Sequence, residues 1–237
     1  MKIALFQANI DWEQPQLNFE RAEPQIKAAA AAGAELILLP EMFACGFSMN
    51  TDAVAEAIDG PTPNFLRRCA KAYGLWVGAT FPCTSGGDRP TNRFLLVSPD
   101  GEEVHYDKIH PFSFAKEDQY YAAGSEFVHA TIKGVRVTLF VCYDLRFADE
   151  FWALAEQTDV FVVVANWPER RREHWTTLLR ARAIENQAWV VGVNRVGRGS
   201  GLVYTGDSRI IDPWGEVLAD AGPDQGIILA DLDMARV

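Results

Sequence analysis

The sequence predicts an α/β protein whose mixed sheets are covered by helices. Three observations carry this expectation. Short apolar runs alternate with helix-like stretches over most of the 237 residues. Several runs are nearly continuous in Val, Leu, Ile or Phe, the composition of strands buried on both faces. Two turn sequences, Ser98-Pro99-Asp100-Gly101 and Asp212-Pro213-Trp214-Gly215, separate β-prone pieces and so add hairpins.

Taken in order, Lys2–Ala8 reads as a first buried strand, because MKIALFQANI lacks the longer apolar stretch and small-residue cleavage site of a signal peptide. The absence of a targeting segment makes a cytoplasmic location the expectation. A helix over Gln16–Ala32 follows Pro15 at a plausible first helical position and stops before Gly33, while Pro24 inside it predicts a kink or two shorter helices. Strands are expected at Glu35–Leu39, Leu75–Thr80 and Arg93–Ser98, with a helix at Pro63–Tyr73 and a hairpin partner at Glu102–Tyr106. Val135–Val141, Asp159–Ala165 and Trp189–Asn194 are further strands, separated by helices at Ala148–Gln157 and Arg171–Gln187. The last helix sets Trp175, Leu178, Leu179, Ala181, Ala183 and Ile184 against Arg180, Arg182 and Glu185, an amphipathic pattern. Beyond Asn194, glycines punctuate β-prone pieces at Leu202–Tyr204, Ser208–Asp212 and Ile227–Leu232. No internal repeat and no low-complexity linker interrupts the chain, so residues 1–237 are expected to form one domain.

Composition excludes several function classes. With 22 basic against 32 acidic residues the net charge is -10, which opposes nucleic-acid binding, since phosphates are neutralised by clustered Lys and Arg. The one basic cluster, Arg170-Arg171-Arg172 between Glu169 and Glu173, reads as a solvated helix end. No apolar run is long enough for a membrane span. The four cysteines, Cys45, Cys69, Cys83 and Cys142, show no paired CxxC spacing, so neither a zinc site nor a disulfide framework is expected, and no metal or organic cofactor has a ligand motif.

Chemically costly residues fall where predicted strands stop, the usual place for ligand sites in α/β folds. Glu41 follows Leu36-Ile37-Leu38-Leu39-Pro40, and a carboxylate in such apolar company would have a raised pKa suited to moving protons, unless it simply turns to solvent. Lys108 follows the second strand of the first hairpin and is placed either to hold an oxyanion or to snorkel to water. Cys142 ends Val135–Val141 and precedes a helix, a strand–turn–helix elbow that exposes a thiol and whose helix N-terminus favours the thiolate; the alternative is an inert buried cysteine. Cys69 reads as core, Cys83 lacks acid–base company, and Cys45 is near enough to Glu41 to need a control. Among the histidines, His110 is placed to support the Lys108 loop and His174 to brace the site, while His105 and His129 read as structural or exposed.

Together these segments resemble the carbon–nitrogen hydrolase (nitrilase) superfamily. Leu38-Leu39-Pro40-Glu41-Met42-Phe43, Tyr106-Asp107-Lys108-Ile109-His110 and Val141-Cys142-Tyr143-Asp144-Leu145-Arg146-Phe147 look like its glutamate, lysine and cysteine motifs, in order and at family-like separations. Met42-Phe43-Ala44-Cys45-Gly46-Phe47, Asn166-Trp167-Pro168 and Asn194-Arg195-Val196-Gly197 narrow the resemblance to the omega-amidases. The resemblance implies a four-layer α-β-β-α sandwich with two mixed β-sheets, paired into a homodimer, and hydrolysis of the side-chain amide of 2-oxoglutaramate or 2-oxosuccinamate to ammonia and a 2-oxo diacid. It also matches Glu117 to a second family glutamate that positions lysine and substrate. Two departures are visible: Ala148 stands where many relatives have Pro, and the chain stops at Val237, where omega-amidase relatives often continue into a tail.

The chemistry expected of this set is acyl transfer without a cofactor. Glu41 accepts the thiol proton, Cys142 attacks the amide carbonyl, and Lys108 with the backbone N–H of Tyr143 holds the oxyanion. Arg146 or Arg195 is expected at the far end of a dicarboxylate-like substrate. Phe112, Phe114, Tyr143 and Trp167 are the expected pocket walls, each equally readable as core, and Asn166 is expected among the substrate-binding residues. A carbamoyl-amide or nitrile hydrolase of the same superfamily, or a non-catalytic binding module retaining the fold, are the competing expectations.

Overall fold

The computed structural model describes residues 1–84 and 86–237. The chain runs β1 (Lys2–Gln7), α1 (Pro15–Ala31), β2 (Leu36–Leu38), α2 (Thr51–Val54), α3 (Pro61–Tyr73), β3 (Trp76–Cys83), β4 (Thr91–Val97) and β5 (Glu103–Asp107). It continues through α4 (Glu117–Tyr120), β6 (His129–Ile132), β7 (Val135–Val141), α5 (Ala148–Leu154), β8 (Val160–Val164), α6 (Arg172–Asn186) and β9 (Trp189–Val193). Five short strands finish it: β10 (Val196–Gly199), β11 (Leu202–Thr205), β12 (Arg209–Ile211), β13 (Val217–Asp220) and β14 (Gly226–Asp231).

Two six-stranded sheets result, ordered β14-β1-β2-β3-β4-β5 and β6-β7-β8-β9-β12-β13, with β10 and β11 as a separate ribbon. Read in those directions the sheets share one pattern. Each has an antiparallel edge, two parallel pairings at its centre, and two antiparallel pairings beyond.

Period-2 alternation in the strands decides the layering. In β1, Ala4 and Phe6 face a core shared with Phe19, Ala22 and Ile26 of α1 and Phe65, Leu66 and Cys69 of α3. Ile3 and Leu5 face the other way, into a core shared with Val137, Leu139 and Val141 of the second sheet. That sheet is covered by Phe151 of α5 and Trp175 and Leu179 of α6. The layers are therefore α1/α3, sheet, sheet, α5/α6, which is the expected four-layer sandwich. Among the described residues, no helix is long and apolar enough to cross a membrane.

Several boundaries differ from expectation. Helix α1 continues through Pro24 without dividing, and Gly33 beyond its end takes a left-handed φ of 81° while its N–H donates to Ala30 O. Helix α3 starts two residues early, at Pro61, where a missing N–H costs nothing. Strand β3 runs on to Cys83 through Pro82, which lies past the end of β2, so no parallel neighbour needs its absent N–H. Strands β6, β10 and β13 are additions to the expected set: each has only four residues and pairs as a hairpin arm. Helix α5 tightens into a 3₁₀ turn at Ala155–Gln157. On α6 the amphipathic pattern is partly inverted. Arg182 is buried, donating from Nε and Nη2 to Leu145 O at 3.1 and 2.8 Å, whereas Ile184 is exposed.

Candidate active site

Four strands deliver the site from one edge of the sandwich. Glu41 lies just past β2, Lys108 past β5, Cys142 past β7 and Asn166 past β8. The parallel strands end together, and the loops beyond them meet between the two sheets.

Glu41 is fully buried, yet its company in space is not the apolar company it has in sequence. Its Oε1 accepts from Lys108 Nζ at 2.9 Å and Asn92 Nδ2 at 2.8 Å, and its Oε2 accepts from the backbone N–H of Asn166 at 2.8 Å. Asn166 Nδ2 also donates to the Glu41 carbonyl, so the turn is clamped at both main chain and side chain. The next residue, Met42, sits at a left-handed φ of 46° and is held there by an N–H bond to Thr80 Oγ1 at 2.8 Å.

Lys108 is 1% exposed, so the snorkelling alternative fails. Its ammonium donates to Glu117 at 2.8 and 3.1 Å as well as to Glu41. Burial works against the charge, but Glu117 and Glu41 outweigh it and hold the lysine well above its ordinary pKa. Burial also raises the Glu117 carboxyl, which Lys108 pulls back only in part. Glu117 opens α4 after Lys116 at a φ of 63°, and its Oε2 takes the backbone N–H of Phe112 at 2.5 Å.

Cys142 occupies the elbow at a φ of 48°, a conformation that costs a non-glycine residue about 1–2 kcal/mol. The elbow leads into a single 3₁₀ turn, Cys142–Arg146, before α5 begins at Ala148. The expected help from a helix N-terminus is therefore corrected: burial first, and then the neighbouring Glu41 carboxylate, raise the Cys142 thiol well above its ordinary value against the pull of Lys108. Burial thus favours the protonated form of the sulfur, which has the Glu41 side chain as its neighbour.

The elbow is tied to the lysine strand by Asp144. Its Oδ2 accepts from Val141 N and Tyr106 OH, both at 2.8 Å, and its Oδ1 accepts from His110 N at 3.0 Å. Burial pushes this carboxyl up to about 6. The His110 ring meets Glu150 at 2.5 Å and stacks on Phe147 with centroids 3.5 Å apart, in keeping with its supporting role. The other three cysteines are buried, with burial raising each thiol. Cys45, the control, has its sulfur on Gly46 O at 3.3 Å.

The thiol opens onto a cleft lined by Phe47, Phe112, Tyr143, Arg146, Asn166 and Trp167, among others. Five of the expected binding residues are thus brought together. Arg146 lies 4.8 Å above the Trp167 ring, and its Nη2 is 3.0 Å from His174 Nδ1, which makes His174 the brace expected of it. Two expected residues are elsewhere. Arg195 is fully buried outside the lining, donating to the carbonyls of Ile10, Arg198 and Val196 behind the ribbon. Its charge is used to satisfy main chain, and burial lowers its pKa to about 10. Phe114 is 72% exposed and touches Phe112 and the guanidiniums of Arg170 and Arg171 at the rim.

The residues missed from sequence are Asn92, Phe47, Tyr204, Arg170 and Arg171. Nothing in Thr91-Asn92-Arg93 marks Asn92 apart from any polar residue opening a strand. The two arginines had a signal, the basic cluster, but its solvated-end reading is corrected: both line the cleft. Among the described residues, no group of three or more His, Cys, Asp or Glu side chains is placed to hold a metal ion.

A family model for carbon-nitrogen hydrolases matches residues 2–237. The omega-amidase YafV of Escherichia coli (strain K12) is 41% identical over 240 residues, covering 100% of this chain and 91% of its own. A 2-oxoglutaramate amidase of Bacillus subtilis (strain 168) is 32% identical, covering 98% of this chain and 90% of its own. Among solved structures, XC1258 of Xanthomonas campestris, a CN-hydrolase superfamily protein with an arsenic adduct in its active site, superposes with a TM-score of 0.93 at 36% identity, covering 99% of this chain and 91% of its own.

Proposed function

The chain belongs to the carbon-nitrogen hydrolase family, and from that premise we propose that it is an omega-amidase, releasing ammonia from the side-chain amide of 2-oxoglutaramate or 2-oxosuccinamate and leaving a 2-oxo diacid. It is a hydrolase of carbon–nitrogen bonds. The similarity to proteins named omega-amidase and 2-oxoglutaramate amidase supports the substrate. One observation carries the mechanism: the Glu41 carboxylate accepts from the Lys108 ammonium and neighbours the Cys142 thiol, which itself lines the cleft.

In the proposed cycle Glu41 takes the thiol proton as the Cys142 sulfur bonds to the amide carbon. The carbonyl oxygen becomes an oxyanion held by Lys108 and the backbone N–H of Tyr143, donors worth about 10²–10³ in rate. Glu41 returns the proton to the leaving nitrogen, the C–N bond breaks, and ammonia departs from a thioester. Water, deprotonated by Glu41, then attacks the thioester carbon; the carboxylic acid leaves and the thiol is restored. Glu117 holds Lys108 in place. Arg146 and Trp167 flank the part of the substrate remote from the amide.

We read residues 1–237 as one hydrolase domain working in the cytoplasm as a homodimer on a small-molecule amide. Trp152 on α5 (70% exposed) and Ile184 on α6 (49%), on the two helices of one outer layer, and Trp214 (81%), whose neighbour Gly215 lies beside Ile184, are the apolar surface that supports the pairing.

Ammonia release from 2-oxoglutaramate, an N-carbamoyl amino acid and a simple nitrile tests the reading, together with intact-mass detection of an acyl adduct. The expected result is turnover of 2-oxoglutaramate far above the other two and an adduct that Cys142→Ala abolishes. Preference for the carbamoyl or nitrile compound would move the substrate assignment, and an adduct persisting in Cys142→Ala would move the nucleophile.

A further inference from the structure

The basic run Arg170-Arg171-Arg172 separates in space. Arg172 forms an ion pair with Asp207 at 2.6 Å, while Arg170 and Arg171 face the cleft. The Arg171 guanidinium lies 5.0 Å over the Phe112 ring and 5.1 Å over that of Phe114. Arg146 lines the same cleft on its Trp167 face. None of these three arginines has an ion-pair partner among the described residues, and no acidic side chain is among the residues lining the cleft. Arg67, Arg93, Arg136 and Arg209, by contrast, each bind a carboxylate. In a chain of net charge -10, three unneutralised guanidiniums around one opening form a site for an anion.

Arg171 is held at both main chain and side chain. Its backbone carbonyl accepts from Trp167 Nε1 at 2.8 Å, and its stacking partner Phe112 is itself tied to Glu117. Burial, and then the charges of Arg170 and Arg146, push its guanidinium below its ordinary value, a crowding of like charges that an incoming carboxylate relieves. A planar guanidinium against aromatic faces keeps its donors aligned for a carboxylate.

We propose that Arg171 binds the distal carboxylate of the substrate and thereby selects amides of anionic acids over neutral amides. This rests on the amidase reading and adds to it a second cation, contributed by the 3₁₀ turn Glu169–Arg171 rather than by the cysteine elbow.

The test compares two amides of equal chain length, glutaramate and pentanamide, on the wild-type protein, Arg171→Met and Arg171→Lys. The quantity read is the ratio of the two kcat/KM values. Arg171→Met is expected to lower that ratio about 10- to 100-fold, chiefly through KM for glutaramate, with Arg171→Lys recovering part of it. An unchanged ratio, or no wild-type preference for glutaramate, overturns the proposal. Calorimetric binding of the same amides to Cys142→Ala decides the matter even without turnover: glutaramate binding should weaken about 10- to 100-fold when Arg171→Met is added. Equal weakening of both amides would assign Arg171 a purely structural part and overturn the proposal. Failure of 2-oxoglutaramate as a substrate, with the glutaramate preference intact, would remove the omega-amidase reading and leave this one standing.

Discussion

Glu41 Oε2 accepts the backbone N–H of Asn166 at 2.8 Å, a contact between residues 125 positions apart that joins the end of β2 in one sheet to the end of β8 in the other. The proposed proton carrier is thus also a fastener between the two halves of the sandwich. Its other oxygen meets Lys108 and Asn92, so donors hold both oxygens of the carboxylate.

Glu41→Gln puts an amide NH₂ against one of those donors. Turnover should fall about 10²–10⁴-fold from lost acid–base catalysis. Stability should fall by about 1–3 kcal/mol, the cost of one unsatisfied buried polar group. Steady-state rates and urea unfolding on the same preparation check both. Near-normal turnover would remove Glu41 from the proton path.

Lys108→Met leaves Glu41 and Glu117 buried without their shared cation, a change expected to cost about 3–5 kcal/mol. Adding Glu117→Gln removes one stranded charge, so the double variant should be more stable than Lys108→Met alone. Urea midpoints measure this. If the two changes simply add their losses, the three groups are not coupled as the geometry requires.

Alkylation should find Cys142 first. Its sulfur opens onto the cleft, whereas Cys45, Cys69 and Cys83 are buried. Because burial holds the Cys142 thiol protonated, its labelling by iodoacetamide should accelerate with pH through and beyond the ordinary thiol range. Peptide mapping after brief exposure reads this out. A rate flat in pH would mean a resting thiolate.

Asp144 gives a stability signature with a definite sign. Its carboxyl is raised from 3.8 to about 6, so between those values the folded protein binds the proton more tightly than the unfolded chain. The group's contribution is fully present below 3.8 and is lost as pH rises through about 6, amounting to about 3 kcal/mol at roughly 1.4 kcal/mol per pKa unit. Asp144→Asn cannot titrate. The difference in unfolding free energy between wild type and this variant should therefore shift against the wild type across that window. A constant difference would show that Asp144 keeps an ordinary acidity.

Sequence patterns encode polarity and spacing, and this sets which parts of the molecule are legible before the fold is known. Glu41 and Cys142 stand out because each ends an apolar strand, and a polar group there is costly unless it has a use. The four-layer order comes from the resemblance, and the alternation in β1 that enforces it is visible in Ile3, Ala4, Leu5 and Phe6. Asn92 is invisible, since its value lies in reaching two glutamates from distant segments. Arg182 is misplaced by periodicity, which registers polarity and not the partner, here Leu145 O, that makes burial tolerable. Arg170 and Arg171 escape notice because the flanking acids mimic a solvated helix end, and only the fold shows that neither acid lines the cleft. The shared pairing pattern of the two sheets leaves no repeat in sequence, because strand direction constrains polarity and length but not identity.

The buried set of two carboxylates, one ammonium and one thiol carries a single net negative charge when the carboxylates are ionised and the thiol is intact. Moving the proton from sulfur to Glu41 leaves that sum unchanged, so the transfer is isocoulombic. The field reaching the guanidiniums at the cleft mouth then stays nearly constant through the proton's journey, and an anionic guest need not loosen its hold each time the nucleophile is armed.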